Sequence, residues 1–194
     1  MAEARRPGAD RVALQPGFEA ERAPSLQIAP ADGWFACYTR PRAEKKVHAM
    51  FAERGIECYL PAVPRVHRWR DRNRTVVMPL FTSYVFARGE FVVRIVETPG
   101  VHDVVRFDGR PALIPDAEIR NIERFVRALS ATRREVPPVP FRQGERVLIT
   151  AGPFEGVEGV VVRARNRRRV LVGLAVIGAG FEVDVPAGSV LAIG

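Results

Sequence analysis

The sequence predicts an α+β domain followed by a small all-β barrel. Three observations carry this. An aromatic strand, Trp34-Phe35-Ala36-Cys37-Tyr38, runs directly into a stretch of helical spacing. A second long helical stretch begins at Asp116. From residue 141 onward, short β-branched runs alternate with glycine and proline and show no helical period.

In order, residues 1–31 are rich in Ala, Pro, Arg and Glu without periodicity, and are expected to be a mostly disordered tail. After the aromatic strand, Pro41 suits an early helical position. Ala43, Val47, Met50 and Phe51 then keep to one helix face, and Gly55 supplies a stop. Ile56 to Val63 reads as a strand. Pro64 to Met78 carries Arg65, Arg68, Arg70, Arg72 and Arg74 and predicts a basic β-hairpin turning at Asp71-Arg72-Asn73. Pro79 to Ala87 is a buried strand, and Phe91 to Val96 is ambiguous and could be a short helix. Val101 to Phe107 is a strand closed by the Asp108-Gly109 turn. Asp116 is expected to cap the second helix, whose apolar face would be Ile119, Ile122, Val126 and Leu129. Ser130 to Pro140, with three prolines, reads as a linker.

In the last segment, Gly152-Pro153-Phe154-Glu155-Gly156-Val157-Glu158-Gly159 joins Arg146-Val147-Leu148-Ile149 to Val160-Val161-Val162, which makes a tight strand–turn–strand unit. Asn166-Arg167-Arg168-Arg169 is a basic turn. The valines and glycines here disfavour any helical alternative. The expected domains are therefore 32–129 and 141–194, with 130–140 between them.

The 194 residues carry 30 Lys+Arg against 22 Asp+Glu, a net charge of +8. That balance favours a nucleic-acid or other acidic partner over a neutral metabolite. His48, His67 and His102 are scattered, and no nucleophile elbow, metal pair or phosphate loop occurs, so an enzyme is not expected. Cys37 and Cys58 have no Cys or His at metal-ligand spacing. Buried free thiols are expected, with a disulfide left open. No metal or cofactor is called for. Arg5 and Arg6 precede no apolar run, and no run would span a bilayer, so a cytoplasmic monomer is expected.

The 152–159 unit resembles the KOW motif. Trp34-Phe35, Pro79-Leu80-Phe81 with Tyr84-Val85-Phe86, and Thr98-Pro99-Gly100-Val101 extend the likeness. Their order and separations resemble the NusG family of transcription elongation and antitermination factors over residues 33–194. Tyr38-Thr39-Arg40-Pro41-Arg42, Gly55 to Pro61, and Val105-Arg106-Phe107 with Pro111 to Pro115 are similar to its RfaH-like and UpxY-like paralogues, which serve selected operons. The resemblance implies an NGN domain, a ferredoxin-like antiparallel sheet flanked by helices, and an SH3-like KOW barrel.

It also implies partners. The NGN domain would bind the clamp helices of the largest RNA polymerase subunit, bridge the cleft and suppress pausing or termination. Phe35, Tyr38, Phe81, Tyr84 and Phe86 are the candidate polymerase contacts, although alternate residues of each strand must face the core. Arg40, Arg42, Lys45, Lys46, Arg68, Trp69, Arg70, Arg72 and Arg74 are the candidate contacts to upstream or non-template DNA. A solvated charged face is the plain alternative. Phe154 and Ile177 are candidate KOW contacts to Rho or a small-subunit ribosomal protein, with core packing an equal explanation.

Two places depart from the family pattern. Phe91-Val92-Val93-Arg94 stands where RfaH-like proteins carry a His-Thr-Thr element, and Val176 to Phe181 replaces the usual Phe-Gly-Arg ending. The competing reading is a ribosome-associated RNA-binding KOW protein, which fits the basic barrel turn but leaves the first domain without a role.

Overall fold

The computed structural model describes residues 33–68, 73–89, 92–164, 167–186 and 188–193. The expected tail, Trp69, Arg70, the turn at Asp71-Arg72 and Phe91 lie outside these residues.

Chain order runs β1 (Trp34–Thr39), α1 (Glu44–Glu53), β2 (Glu57–Tyr59), β3 (Ala62–Arg68), β4 (Asn73–Pro79), β5 (Tyr84–Arg88), α2 (Val92–Val96) and β6 (Val101–Val104). A short hairpin of β7 (Arg106–Phe107) and β8 (Arg110–Pro111) follows, then β9 (Leu113–Ile114) and α3 (Asp116–Thr132). The first sheet is antiparallel, ordered β2-β5-β1-β6, with β9 also paired to β1. The predicted single strand from Ile56 to Val63 is broken at Leu60-Pro61. Proline has no N–H to donate to a ladder, and the Pro61 carbonyl instead accepts the Leu80 amide at 2.7 Å. The predicted strand from Val101 to Phe107 likewise breaks at Val105, whose amide turns to the Ala36 carbonyl.

Strand alternation gives β1 two buried faces. Phe35 and Cys37 pack with Val47 and Phe51 of α1, Ile95 of α2, and Val85, Ala87 and Val104. Trp34 and Ala36 point the other way, toward Phe86 and the apolar stripe of α3. Both cysteines are free thiols, and burial pushes each thiol's pKa up, most strongly at Cys37.

Helix α3 differs from expectation in two ways. Its buried stripe is Ile119, Ile122, Phe125 and Leu129, so Phe125 takes the place expected of Val126, which is only partly buried. Pro115, in extended conformation, occupies the N-cap position, and Asp116 is the first helical residue. The Asp116 carboxylate accepts the Trp34 indole N–H at 2.7 Å and pairs with Arg88 and Arg120, which ties the helix to β1 and β5.

The second unit is a six-stranded antiparallel sheet. It contains β10 (Pro138–Pro140), β11 (Arg146–Ile149), β12 (Glu158–Ala164), β13 (Arg167–Leu174), β14 (Ala179–Asp184) and β15 (Val190–Ala192). Its order is β10-β14-β13-β12-β11-β15, and a 3-10 turn spans Ala175–Ile177. The segment read as a linker thus contributes a strand, since β10 pairs with β14. Gly173 and Gly180 stand opposite each other in the β13–β14 register. A Cβ on Gly173 would run into the backbone of Ala179 and Gly180. Gly173→Ala should therefore lower stability by about 1–3 kcal/mol through overpacking. A shift of the urea midpoint at unchanged m-value measures it.

Candidate functional site

One face of the first sheet ends in an aromatic cluster. Tyr38 is the penultimate residue of β1, Tyr84 opens β5, and the register pairs them directly. Their ring centroids are 5.6 Å apart, and His102 of β6 lies 5.7 Å from Tyr38 on the other side. Tyr38 is 44% exposed. The turn before Tyr84 is fixed by the buried Glu44 of α1. Its carboxylate accepts the Ser83 amide at 2.7 Å, while the Ser83 carbonyl accepts the Thr39 amide at 2.9 Å. Burial and the Tyr38 neighbour push the Tyr84 phenol up, so it stays a neutral hydrogen-bonding group at physiological pH.

A basic rim follows in the chain. Arg40 and Arg42 lie in the loop after β1, Lys45 and Lys46 on the first turn of α1, and all four are exposed. Arg42 sits in the left-handed region at φ 65°. Arg74, on β4, is exposed as well, and Arg68 stands opposite Asn73 in the hairpin register. The candidate DNA contacts Trp69, Arg70 and Arg72 lie outside the described residues.

The other aromatic candidates are not presented to solvent. Phe35 belongs to the core under α1 and α2, because its strand position faces opposite to Tyr38. Phe86 is fully buried. Phe81, 3% exposed, has its ring 6.0 Å from Phe86 and 5.4 Å from Phe181 of the second unit. Phe154 is also buried, 5.7 Å from Phe125 of α3, and Ile177 is interior. Five polymerase or KOW candidates are thus buried in this arrangement: Phe81 and Phe154 lie in the contact between the two units, and Phe35, Phe86 and Ile177 in the cores.

That contact is built around α3. Phe125 lies against both Phe154 and Phe181. One turn earlier, the Asn121 side chain donates to the Glu158 carbonyl at 2.8 Å and accepts the Glu158 amide at 2.8 Å. An asparagine side chain is thereby docked onto the backbone at the start of β12 as a strand partner would be. Asn121→Ala would leave a backbone donor and acceptor without these partners, and should weaken the contact by about 1–3 kcal/mol. Faster limited proteolysis within residues 133–137, with both units still folded by circular dichroism, is the expected result.

His102 and Asn121 were not singled out from sequence. No sequence signal marks His102, whose ring meets Tyr38 only through the pairing of β6 with β1. Asn121 is one polar residue on a helix and gives no signal either. Among the described residues, no group of three or more His, Cys, Asp or Glu could hold a metal ion, and no helix is long and apolar enough to cross a membrane.

Residues 32–123 match the family model described as NusG, transcription termination factor nusG. The transcription termination/antitermination protein NusG of Thermus thermophilus is 25% identical over 174 residues, covering 78% of this chain and 94% of that protein. NusG of Borreliella burgdorferi is 26% identical over 99 residues, which are 50% of this chain and about half, 54%, of that relative. A solved structure of Thermotoga maritima NusG, described by its domain interaction, aligns at 24% identity with a TM-score of 0.42, covering 84% of this chain and 98% of that one. The chain is thus similar to the NusG model over residues 32–123 and to these NusG relatives at 25–26% identity.

Proposed function

We propose that this chain is a transcription termination/antitermination factor that binds RNA polymerase through the Tyr38–Tyr84–His102 cluster. In this reading the cluster meets the clamp helices of the largest subunit, and the Arg40, Arg42, Lys45 and Lys46 rim lies along upstream or non-template DNA. The second unit is read as a KOW barrel. The observation that carries the proposal is an exposed aromatic cluster at one end of β5, β1 and β6, bordered by cations, in a chain whose first domain matches the NusG model. Aromatic anchors flanked by polar groups are the usual energetic centres of protein interfaces.

In this reading, suppressing pauses or termination follows from holding the clamp, and service to selected operons would follow from the RfaH-like and UpxY-like features. Phe81 joins the docking surface only after the second unit leaves it, so the arrangement described above is a closed form. The test is co-purification of the full chain with its own RNA polymerase at low salt. Retention of wild type and loss with Tyr38→Ala supports polymerase docking. Absence of polymerase with ribosomal subunits retained instead would replace it with the ribosome-associated reading, which the arginines of the second unit favour.

A further inference from the structure

Helix α2 presents an apolar face that the fold leaves open. Its sequence, Val92-Val93-Arg94-Ile95-Val96, is β-branched everywhere but at Arg94, so it holds its helical form by contact and not by propensity. Ile95 turns inward and is buried. Val92 and Val96 are only partly buried, and Val93 is 65% exposed. With Glu97 and Arg106 these valines line a shallow groove beside β7. Arg106 is a fixed wall of it. Its guanidinium meets the Asp103 carboxylate at 3.1 Å and donates to the Gly109 carbonyl at 3.2 Å. The charge is spent on those partners, and the aliphatic stem is left to the groove.

The N-terminal segment enters the fold close to this groove. Gly33 leads into β1, and a Cβ there would run into the Leu113 side chain. Leu113 packs in the same apolar cluster as Val92 and Val96. Trp34 stands opposite Arg88 in the β1–β5 register, and α2 begins at Val92, a chain reach of no more than about 14 Å from Arg88. Before Gly33, the nearest large aliphatic residues are Leu26 and Ile28. They alternate around Gln27, so both would fall on one face of an extended segment. Pro24 and Pro30 bracket them and oppose a helix. From Gly33, an extended chain carries Ile28 and Leu26 about 17–25 Å, far enough to cover α2.

We propose that Leu26 and Ile28 dock in the α2 groove of their own molecule, against Val92, Val93 and Val96. The segment then straps the side of the first sheet that faces away from α3. Two aliphatic side chains suit a groove of this size, whereas a stable interface with a folded partner buries a far larger area. The strap stands apart from the Tyr38–Tyr84–His102 cluster, so it holds whether or not polymerase binds there.

The test places the photo-crosslinker benzoylphenylalanine at Val93 in the full chain and maps its adducts by mass spectrometry. The expected adduct falls within residues 23–31 of the same molecule. Mixing isotope-labelled with unlabelled chains separates adducts within a chain from adducts between chains. A second measurement follows hydrogen exchange at the Glu97 and Thr98 amides, which donate to the Val93 and Ile95 carbonyls. Leu26→Asp with Ile28→Asp should speed that exchange about tenfold, since helix α2 loses the apolar cover over its open face. Val12→Asp with Leu14→Asp alters an alternating pair farther from Gly33 and should leave the exchange unchanged. Neither variant touches the folded cores, so a change in exchange reports the strap and not unfolding. Adducts between chains, adducts confined to residues after 33, or equal exchange in the two variants would overturn the proposal. A polymerase adduct at position 93, with no adduct to residues 23–31 in the free chain, would overturn it too and give the groove to that partner.

Discussion

Phe125→Ala is expected to lower the unfolding free energy by about 3–5 kcal/mol. Phe125 is fully buried, and its ring lies 5.7 Å from Phe154 and 5.8 Å from Phe181. Its own helix, the first sheet's core and the second unit all meet at this ring. Truncation therefore removes aromatic contacts from both units and leaves a cavity that neither can fill by a small shift. A typical domain of this size has only about 5–15 kcal/mol of stability, so the loss would be a large share of it. The variant should also uncouple the units, so that one denaturation transition becomes two. A change below about 1 kcal/mol with a single transition would show that the packing around α3 is not what joins them.

Tyr38→Ala is expected to weaken polymerase binding by about 30-fold, near 2 kcal/mol, with Tm almost unchanged. Tyr38 is nearly half exposed, so truncation leaves no sealed cavity, while the docking surface loses its central ring. Phe81→Ala should behave differently. It opens a hole between Phe86 and Phe181, lowers Tm, and loosens the closed form. Part of any affinity lost with the Phe81 ring is then offset by easier opening, because apparent affinity scales with the fraction of competent molecules. Titrating both variants against polymerase separates the two residues. Equal losses of affinity at equal Tm would show that Phe81 is already available and that the closed contact does not compete with docking.

The elements of the fold were largely legible because each carries a local signal. The aromatic β1, the α1 spacing ending at Gly55 and the glycine-punctuated strands after residue 141 all appear where the pattern places them. The misreadings come from tertiary choice. Val126 and Phe125 are neighbours on one helix, and periodicity accepts either. Only docking of the second unit against α3 selects the phenylalanine. The same event decides the fate of the aromatic candidates. Strand alternation forces some of Phe35, Tyr38, Phe81, Tyr84 and Phe86 inward, but it does not say which face a second domain will cover. Tyr38 stays open because it lies at the strand end beside β6, while Phe81 lies where Phe181 lands. The break at Pro61 was visible in principle, since proline interrupts a ladder wherever its amide would be needed.

The strand β10 sets the leash on which any opening must occur. Helix α3 ends at Thr132 and β10 begins at Pro138, so only the five residues 133–137 are free to extend. Fully stretched, that connection reaches about 20 Å. A released second unit therefore stays within roughly one small-domain diameter of the surface it left, at an effective concentration in the millimolar range. A partner that captures it competes against a neighbour that never diffuses away. Opening is then governed less by how often the two units separate than by whether something already stands close enough to occupy the gap.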